Sequence, residues 1–369
     1  MSKNASDNAV LISPVGAEAF VTALLSKAGL PAAPATEVSQ AIVDAELAGL
    51  PPHGLSQVQM YVRRLQLGSV STVSRATMIE DSDAIAILDA QGMFGQLAGS
   101  QAMEIAIEKS KCFGVGVVAV RNSFHFGAAG RYAQQASDSD CIGIAMCNTK
   151  PMMPAPQGAE RLVGNNPLSI GIPASAGADF LLDMALSEAA LAKVRIADRE
   201  QRPIPATWAV DKDGKPTTDA KAAIDGMMLP AGGAKGFGLA LAIDLMSSAL
   251  SQGPGGENVP SMYDDLSKPF LCSLFFIAFD IAHFRGVDGF RQDVGAALNR
   301  VRRSRSFGGQ MRTPGQRNAD NRRLNEAGFS VPRLLADALN ALSRELGQSQ
   351  EISVPESKPK KTKTLGGNR

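Results

Sequence analysis

His125 stands in the stretch RNSFHFGAAG, between the apolar run VGVVAV and a cluster of glycine and alanine. Functional groups collect at the carboxyl ends of strands in α/β sheets, where the next helix presents unpaired N–H groups. With the helix starting near Gly127, the small residues Gly127, Ala128, Ala129 and Gly130 leave that backbone open to an anion such as a pyrophosphate. An imidazole there can act as acid or base near neutrality, or simply pack or cap. Spacing alone leaves both open.

Other residues could join it. In GGAKG, Lys235 sits between glycines at the start of an apolar segment and could hold a phosphate or carboxylate. Asp183 ends the apolar run FLLD, where a carboxylate could orient an imidazole, take a ribose hydroxyl, or cap the next helix. His53 follows two prolines just before a helical stretch, and His283 in DIAHFRG has no evident partner.

Several chemistries lack their motifs. The sequence contains no His-Glu-x-x-His, no clustered Cys/His set, no Gly-x-Ser-x-Gly, and no Walker loop. No Gly-x-Gly-x-x-Gly follows a convincing strand, so a nicotinamide cofactor would need another kind of site. No metal is expected. A formal net charge of +1 gives no global field to attract nucleic acid or an anionic membrane. No apolar run approaches the roughly 20 residues needed to span a bilayer, and the amino terminus lacks signal-peptide character. Four scattered cysteines, none in a Cys-x-x-Cys pair, suit free thiols in a reduced, cytoplasmic protein.

The elements that must position these residues alternate along the chain. From Gly16 to Gly68 apolar residues recur at helical spacing, including Val38, Ile42, Leu55, Val58, Val62 and Leu65. From Ala84 to Leu250 β-like runs (AIAILDA, VGVVAV, CIGIAMCN, LSIGIPA, DFLLDMA) alternate with helical stretches, which argues for an α/β domain. The segment after Lys235 is apolar nearly all round, as a buried helix would be. LFFIAFD reads as a strand, and two helices separated by the polar break RTPGQRNADNRR end the fold. The boundaries expected are a helical segment 1–75, a central domain 76–255, a carboxy-terminal strand and helices 256–347 packing back on the first segment, and a disordered tail 348–369.

Taken together, HGLSQVQMYVRRLQLG, NSFHFGAAGRYAQQA, IGIAMCNTKPMMPAPQGAERLVGNNPLSIGIPA, LDMALSEAALAKVRIA, IPATWAVDKDGKPTTD and LPAGGAKGFGLALAIDLM resemble the malate/L-lactate dehydrogenase family, which lacks a Rossmann fold. The family includes malate, sulfolactate and ureidoglycolate dehydrogenases and the Δ1-piperideine-2-carboxylate/Δ1-pyrroline-2-carboxylate reductases. The resemblance runs from Ala41 to Leu346. It implies a non-Rossmann, mixed-sheet α/β subunit with helical terminal segments, a homodimer, and NAD or NADP bound on the central domain. His125 matches the family's catalytic histidine. Ser123, Phe126, Gly127 and Ala128 match the cofactor loop, and Asn166 and Pro167 a glycine-rich turn. Asp183, Met184 and Ala185 match another cofactor segment, with Lys193, Lys235 and Gly236 on its basic, phosphate side. Asn148 and Thr149 match a segment near nicotinamide and substrate.

Four positions depart from the family pattern. Pro52 replaces a serine, Gln57 an arginine suited to a substrate carboxylate, and Leu274 a histidine; Asn165 replaces a frequent threonine. The resemblance implies hydride transfer between nicotinamide and a small 2-hydroxy or 2-oxo acid, with His125 as acid/base and Gln57 beside the substrate. Reduction of a cyclic 2-imino acid, with His53 as proton donor, is the alternative. A catalytically degraded nucleotide-binding member is the reading from another class.

Overall fold

The computed structural model describes residues 9–175, 177 and 179–352. An entry layer is built from α1 (Pro14–Lys27), α2 (Ala32–Leu47) and α3 (Val58–Gln66), with two short 3₁₀ turns, Pro51–His53 and Leu55–Gln57, before α3. Ser13 caps α1 by accepting the Gly16 N–H at 3.0 Å, and Pro14 takes the first helical position, where its missing N–H costs nothing.

The central sheet holds β2 (Thr77–Ser82), β3 (Ile85–Asp89), β4 (Val115–Ser123), β5 (Cys141–Cys147), β6 (Leu168–Ile172), β7 (Phe180–Met184) and β10 (Cys272–Asp280). Its order is β2-β3-β4-β10-β5-β6-β7. Only β3 and β4 run parallel, joined by α4 (Gly95–Phe113); the other pairings are antiparallel, and α5 (Gly130–Asp138) links β4 to β5. The sheet is mixed, as expected. The LFFIAFD strand, late in the chain, is its middle member.

Period-two alternation sorts side chains onto the two faces. Val118 and Val120 of β4, with Leu274, Phe276 and Ala278 of β10, join the larger core under α4, α5 and the entry helices. Ala119 and Phe275 point the other way, into a smaller core. That second core is covered by α6 (Leu191–Arg199), β8 (Ala209–Val210), α7 (Ala220–Asp225), β9 (Met227–Met228) and α8 (Ala234–Ser251). The chain ends with α9 (Val287–Arg302), α10 (Gln316–Asn325), β11 (Phe329–Pro332) and α11 (Arg333–Glu345), and β11 pairs antiparallel with β1 (Ala9–Ile12).

Four sequence expectations need correction. Helix α5 begins at Gly130 rather than near Gly127, so residues 124–128 cross the end of β4 without regular structure. Helix α8 is apolar all round, yet Leu239, Leu241, Leu245 and Leu250 are exposed; composition reports burial capacity, not what covers the far face. Most of the polar break is α10, a third terminal helix held by specific contacts rather than an apolar stripe. Arg322 forks onto Asp44 of α2, and the Asn321 and Asn325 amides donate to the carbonyls of Ala48 and Leu47 at the end of α2. Lastly, residues 348–352 are docked. Ile352 is buried, its N–H donates to Asn340 Oδ1, and Gln348 donates to the Ala23 carbonyl. The tail beyond 352 lies outside the described residues.

Arg64 of α3 is fully buried and acts as a spacer between layers. Its guanidinium donates to the carbonyls of Met262 and Lys268 at 2.7 Å each, and lies 5.7 Å from the centre of the Phe124 ring. It thereby pins the segment leading into β10 against the entry layer. Arg64→Met is expected to cost about 3 kcal/mol, because buried carbonyls lose their donors. Urea unfolding would measure this, and a change within error of zero would refute it.

Candidate active site

Residues 124–128 lie directly on the amino end of α4. A Cβ at Gly95 would stand 2.3 Å from the Phe124 carbonyl oxygen and 2.7 Å from the His125 carbonyl carbon, so only glycine admits this contact. Phe94, Phe124 and Tyr61 meet edge to face, at centroid distances of 5.3, 5.4 and 5.6 Å. From this apolar box the Tyr61 hydroxyl reaches His125 Nδ1 at 2.6 Å, and Gln96 Nε2 donates to the same hydroxyl at 2.9 Å. The His53 ring lies nearly parallel to that of His125, 5.8 Å away and inclined by 16°.

Burial lowers the His53 pKa to about 4. Burial, and then the adjacent His53, lower that of His125 to about 3. Both rings are therefore neutral at pH 7. Burial raises the Tyr61 pKa, so its hydroxyl keeps its proton. A neutral imidazole on a neutral hydroxyl has Nδ1 occupied, and Nε2 is left as the nitrogen for acid/base chemistry.

A narrow cleft opens beside this pair, lined by His53, Gln96, Gly127, Ala128 and Asp183, with Arg322 of α10 on the far wall. Gly127 has φ +77°, a conformation side chains resist, and Ala128 adds only a methyl. The strip beside His125 is thus nearly free of side chains. Asp183, at the end of β7, accepts the Gly130 N–H at 3.0 Å, and burial raises its pKa. It caps α5, the helix after His125, rather than the next helix in sequence. Two expectations are thereby corrected: Tyr61, not Asp183, orients the His125 imidazole, and the first N–H of α5 is occupied by a carboxylate, which would repel a pyrophosphate.

The remaining expected residues divide into lining and frame. Ser123 is buried and donates to the Phe124 carbonyl, so its hydroxyl turns into the fold. Phe126 stacks on Tyr132 with centroids 5.2 Å apart, and only its backbone can serve the cleft. Asn148 is fully buried; its amide donates to Asp244 and the Pro254 carbonyl while its oxygen accepts the Ser273 N–H, leaving nothing for a substrate. Asn166 is similarly consumed, donating to the Ala240 carbonyl and accepting the Thr149 N–H; the Thr149 hydroxyl donates to Asn165. Pro167 accepts from Cys147 N–H. Gln57 donates to the Pro52 carbonyl at 2.7 Å and its oxygen faces the Tyr263 hydroxyl at 3.4 Å, so both ends close loops.

Met184 and Ala185 lead from Asp183 to Leu186, whose carbonyl accepts the Ala231 N–H just before α8. This brings the exposed Lys235 and the buried Gly236, in the first turn of α8, beside the end of β7. Lys193 is exposed on α6. His283 bonds Asp280, away from the cleft. Among the described residues, no three His, Cys, Asp or Glu side chains gather as a metal site requires, and no helix is long and apolar enough to cross a membrane.

Sequence reasoning missed Tyr61, Gly95 and Gln96. Tyr61 carried a signal, since it falls on the helical face marked by Val58, Val62 and Leu65. Gly95 and Gln96 carried none, because their roles exist only where α4 meets the end of β4.

Known proteins share this architecture along nearly the whole chain. A family model for malate/L-lactate dehydrogenase matches residues 12–340. The chain is 36% identical over 346 residues to the L-sulfolactate dehydrogenase of Methanocaldococcus jannaschii, covering 93% of this chain and 99% of that one. A solved structure of sulfolactate dehydrogenase from that organism matches with a TM-score of 0.87 at 35% identity, over 92% of this chain and 98% of the other. The ureidoglycolate dehydrogenase (NAD(+)) of Escherichia coli K12 is 36% identical over 277 residues, 75% of this chain and 79% of that one. The (2R)-3-sulfolactate dehydrogenase (NADP(+)) of Chromohalobacter salexigens is 32% identical over 332 residues, 90% and 97% of the two chains. The protein is an oxidoreductase of the dehydrogenase class. The chain belongs to the malate/L-lactate dehydrogenase family.

Beneath the His53 turn lies a second buried titrating group. Glu46 of α2 accepts the Leu55 N–H at 2.7 Å, and burial raises its pKa from 4.5 to about 7. A raised carboxyl favours the folded state while it holds its proton: that contribution is full below pH 4.5 and is lost as pH rises through about 7. Glu46→Gln keeps the acceptor and removes the titration. Relative to wild type it is expected to gain about 2–3 kcal/mol on going from pH 5 to pH 8, read by urea unfolding. The histidines titrate alike in both proteins, so an equal difference at the two pH values would refute the assignment.

Proposed function

We propose that this protein is a NAD(P)-dependent dehydrogenase of a small 2-hydroxy acid, with His125 as general acid/base. One observation carries this: a neutral imidazole, oriented by Tyr61, stacks beside His53, which lines the cleft together with Gly127 and Ala128. Gly127 leaves bare backbone there, since a side chain would be strained at φ +77°, and bare backbone suits close approach of a dinucleotide's reactive end. Asp183 would take a ribose hydroxyl, while Met184, Ala185, Lys193, Lys235 and Gly236 form the side that would hold the phosphates. The bound nicotinamide supplies the hydride acceptor or donor.

In oxidation, the free nitrogen of His125 takes the proton of the substrate hydroxyl as C2 loses hydride; in reduction it returns that proton to the carbonyl oxygen. At pH 7 the ring is neutral, which suits the base. A bound carboxylate beside it raises its proton affinity, which serves the reverse direction. Gln57, engaged at both ends, leaves recognition of that carboxylate to other groups. A homodimer in the cytoplasm belongs to the same reading: the exposed leucines of α8 offer a face for a second copy, and the four cysteines are free thiols.

One feature favours the cyclic imino acid as a second substrate class. His53 stands next to His125 with a buried Nδ1 that has no partner among the described residues, a position suited to a second proton donor. Against it, Pro52 carries no hydroxyl to relay a proton.

Mixing the protein with NADH or NADPH and a panel of 2-oxo acids and cyclic 2-imino acids, beside His125→Ala, tests both readings by absorbance. Turnover on an oxo acid is expected, falling about 10²–10⁴-fold in His125→Ala. Cofactor binding with no turnover on any member would instead establish a degraded relative.

A further inference from the structure

We infer that the side-chain amide of Gln96 turns over, and that its orientation sets, through the Tyr61 hydroxyl, which nitrogen of His125 carries the proton. This rests on His125 being the acid/base of the proposed reaction, and makes Gln96 a positioning residue for it.

The Tyr61 hydroxyl has one proton and stands between two groups, Gln96 and His125 Nδ1. With Gln96 Nε2 donating to it, that proton must go to His125 Nδ1, and the neutral ring then holds its own proton on Nε2. With the amide reversed, Gln96 Oε1 accepts the tyrosine proton. The hydroxyl oxygen then accepts Nδ1–H, and Nε2 becomes a bare lone pair. Only the second arrangement leaves a base able to remove a proton from a substrate hydroxyl.

What lets the amide turn is its other end. Gln96 Oε1 is buried and has no partner among the described residues, so no second bond holds either orientation. Each orientation leaves one amide atom unmatched. In either orientation the amide's hydrogen bonding ends at one shared hydroxyl. The hydroxyl itself is held in place: Phe94 and Phe124 flank the Tyr61 ring, and burial keeps it protonated. The titratable groups facing this pair are His53 beside His125 and Tyr263 near Tyr61, with Asp44, Arg131, Asp183 and Arg322 further along the cleft.

The proton balance follows. When Nε2 takes the substrate proton, the ring becomes a cation with N–H on both sides. Its Nδ1–H donates to the tyrosine oxygen, whose own proton rests on Gln96 Oε1. The opposite orientation would set two donors and a stranded O–H against the cation. Oε1 facing inward therefore raises the proton affinity of His125, and Nε2 facing inward lowers it.

The chain's three histidines make this directly observable. Protein labelled with ¹⁵N-histidine gives three imidazoles, and His125→Ala identifies the one of interest. Gln96→Glu supplies an acceptor, and Gln96→Met supplies neither donor nor acceptor. In Gln96→Glu, His125 is expected to hold its proton on Nδ1. In Gln96→Met it is expected on Nε2, with a titration midpoint about one pH unit lower, a tenfold loss of proton affinity; wild type falls between. An unchanged tautomer and midpoint in Gln96→Met overturns the inference, whatever the activity of the variants. Turnover measured alongside keeps the two readings separate, because activity retained in His125→Ala would sink the acid/base role without bearing on the tautomer.

Discussion

The contact between Tyr61 and His125 Nδ1 at 2.6 Å joins the entry layer to the central sheet, and much else in the molecule exists to keep it. The imidazole sits against the aromatic box of Phe94, Phe124 and Tyr61 and is buried, so a carboxylate partner would bring its own desolvation cost. A neutral hydroxyl orients the ring without that cost. The same helix carries Arg64, whose guanidinium lies against Phe124 and holds the segment before β10. One short helix thus fixes both the His125 imidazole and the loop bearing Tyr263. Glycine at position 95 completes the arrangement by letting α4 meet residues 124–126 backbone to backbone.

The sheet shows why no dinucleotide fingerprint is needed. A Rossmann site depends on parallel strands whose crossover helices aim their amino ends at a pyrophosphate. Here one parallel pair occurs, β3 with β4, and β10 enters antiparallel between β4 and β5. The helix end that would face an anion, at Gly130, is already filled by Asp183.

How much of this could be read from the sequence follows from the range of each interaction. Strands β4 and β10 were legible because alternate residues must face one core or the other. Gly68 was legible as a boundary because it ends a helix locally, at φ +70°. His125 with Gly127 and Ala128 was legible as a cluster. By contrast, Asn148 looked available and is spent on Asp244, Pro254 and Ser273, partners remote in sequence. Helix α10 has no apolar stripe to announce it, since its stability comes from Asp44 and the carbonyls closing α2. Gln96 looked like an ordinary polar residue in a first helical turn.

The positions at which the chain departs from its relatives' pattern gain meaning from where they lie. Leu274 is wholly buried between strands, so a histidine's loss there is a gain in core packing. Pro52 offers its carbonyl to Gln57, and Gln57 offers its oxygen to Tyr263, so two departures share one hydrogen-bonded chain across the mouth of the site. Among the described residues, none of the three shares a hydrogen bond with Tyr61, Gln96 or His125. On the proposed reading the chain keeps the machinery that moves the proton and changes the part that meets the rest of the substrate. Selection for a different acid produces that pattern, whereas decay of catalysis would first reach His125 and the residues that hold it.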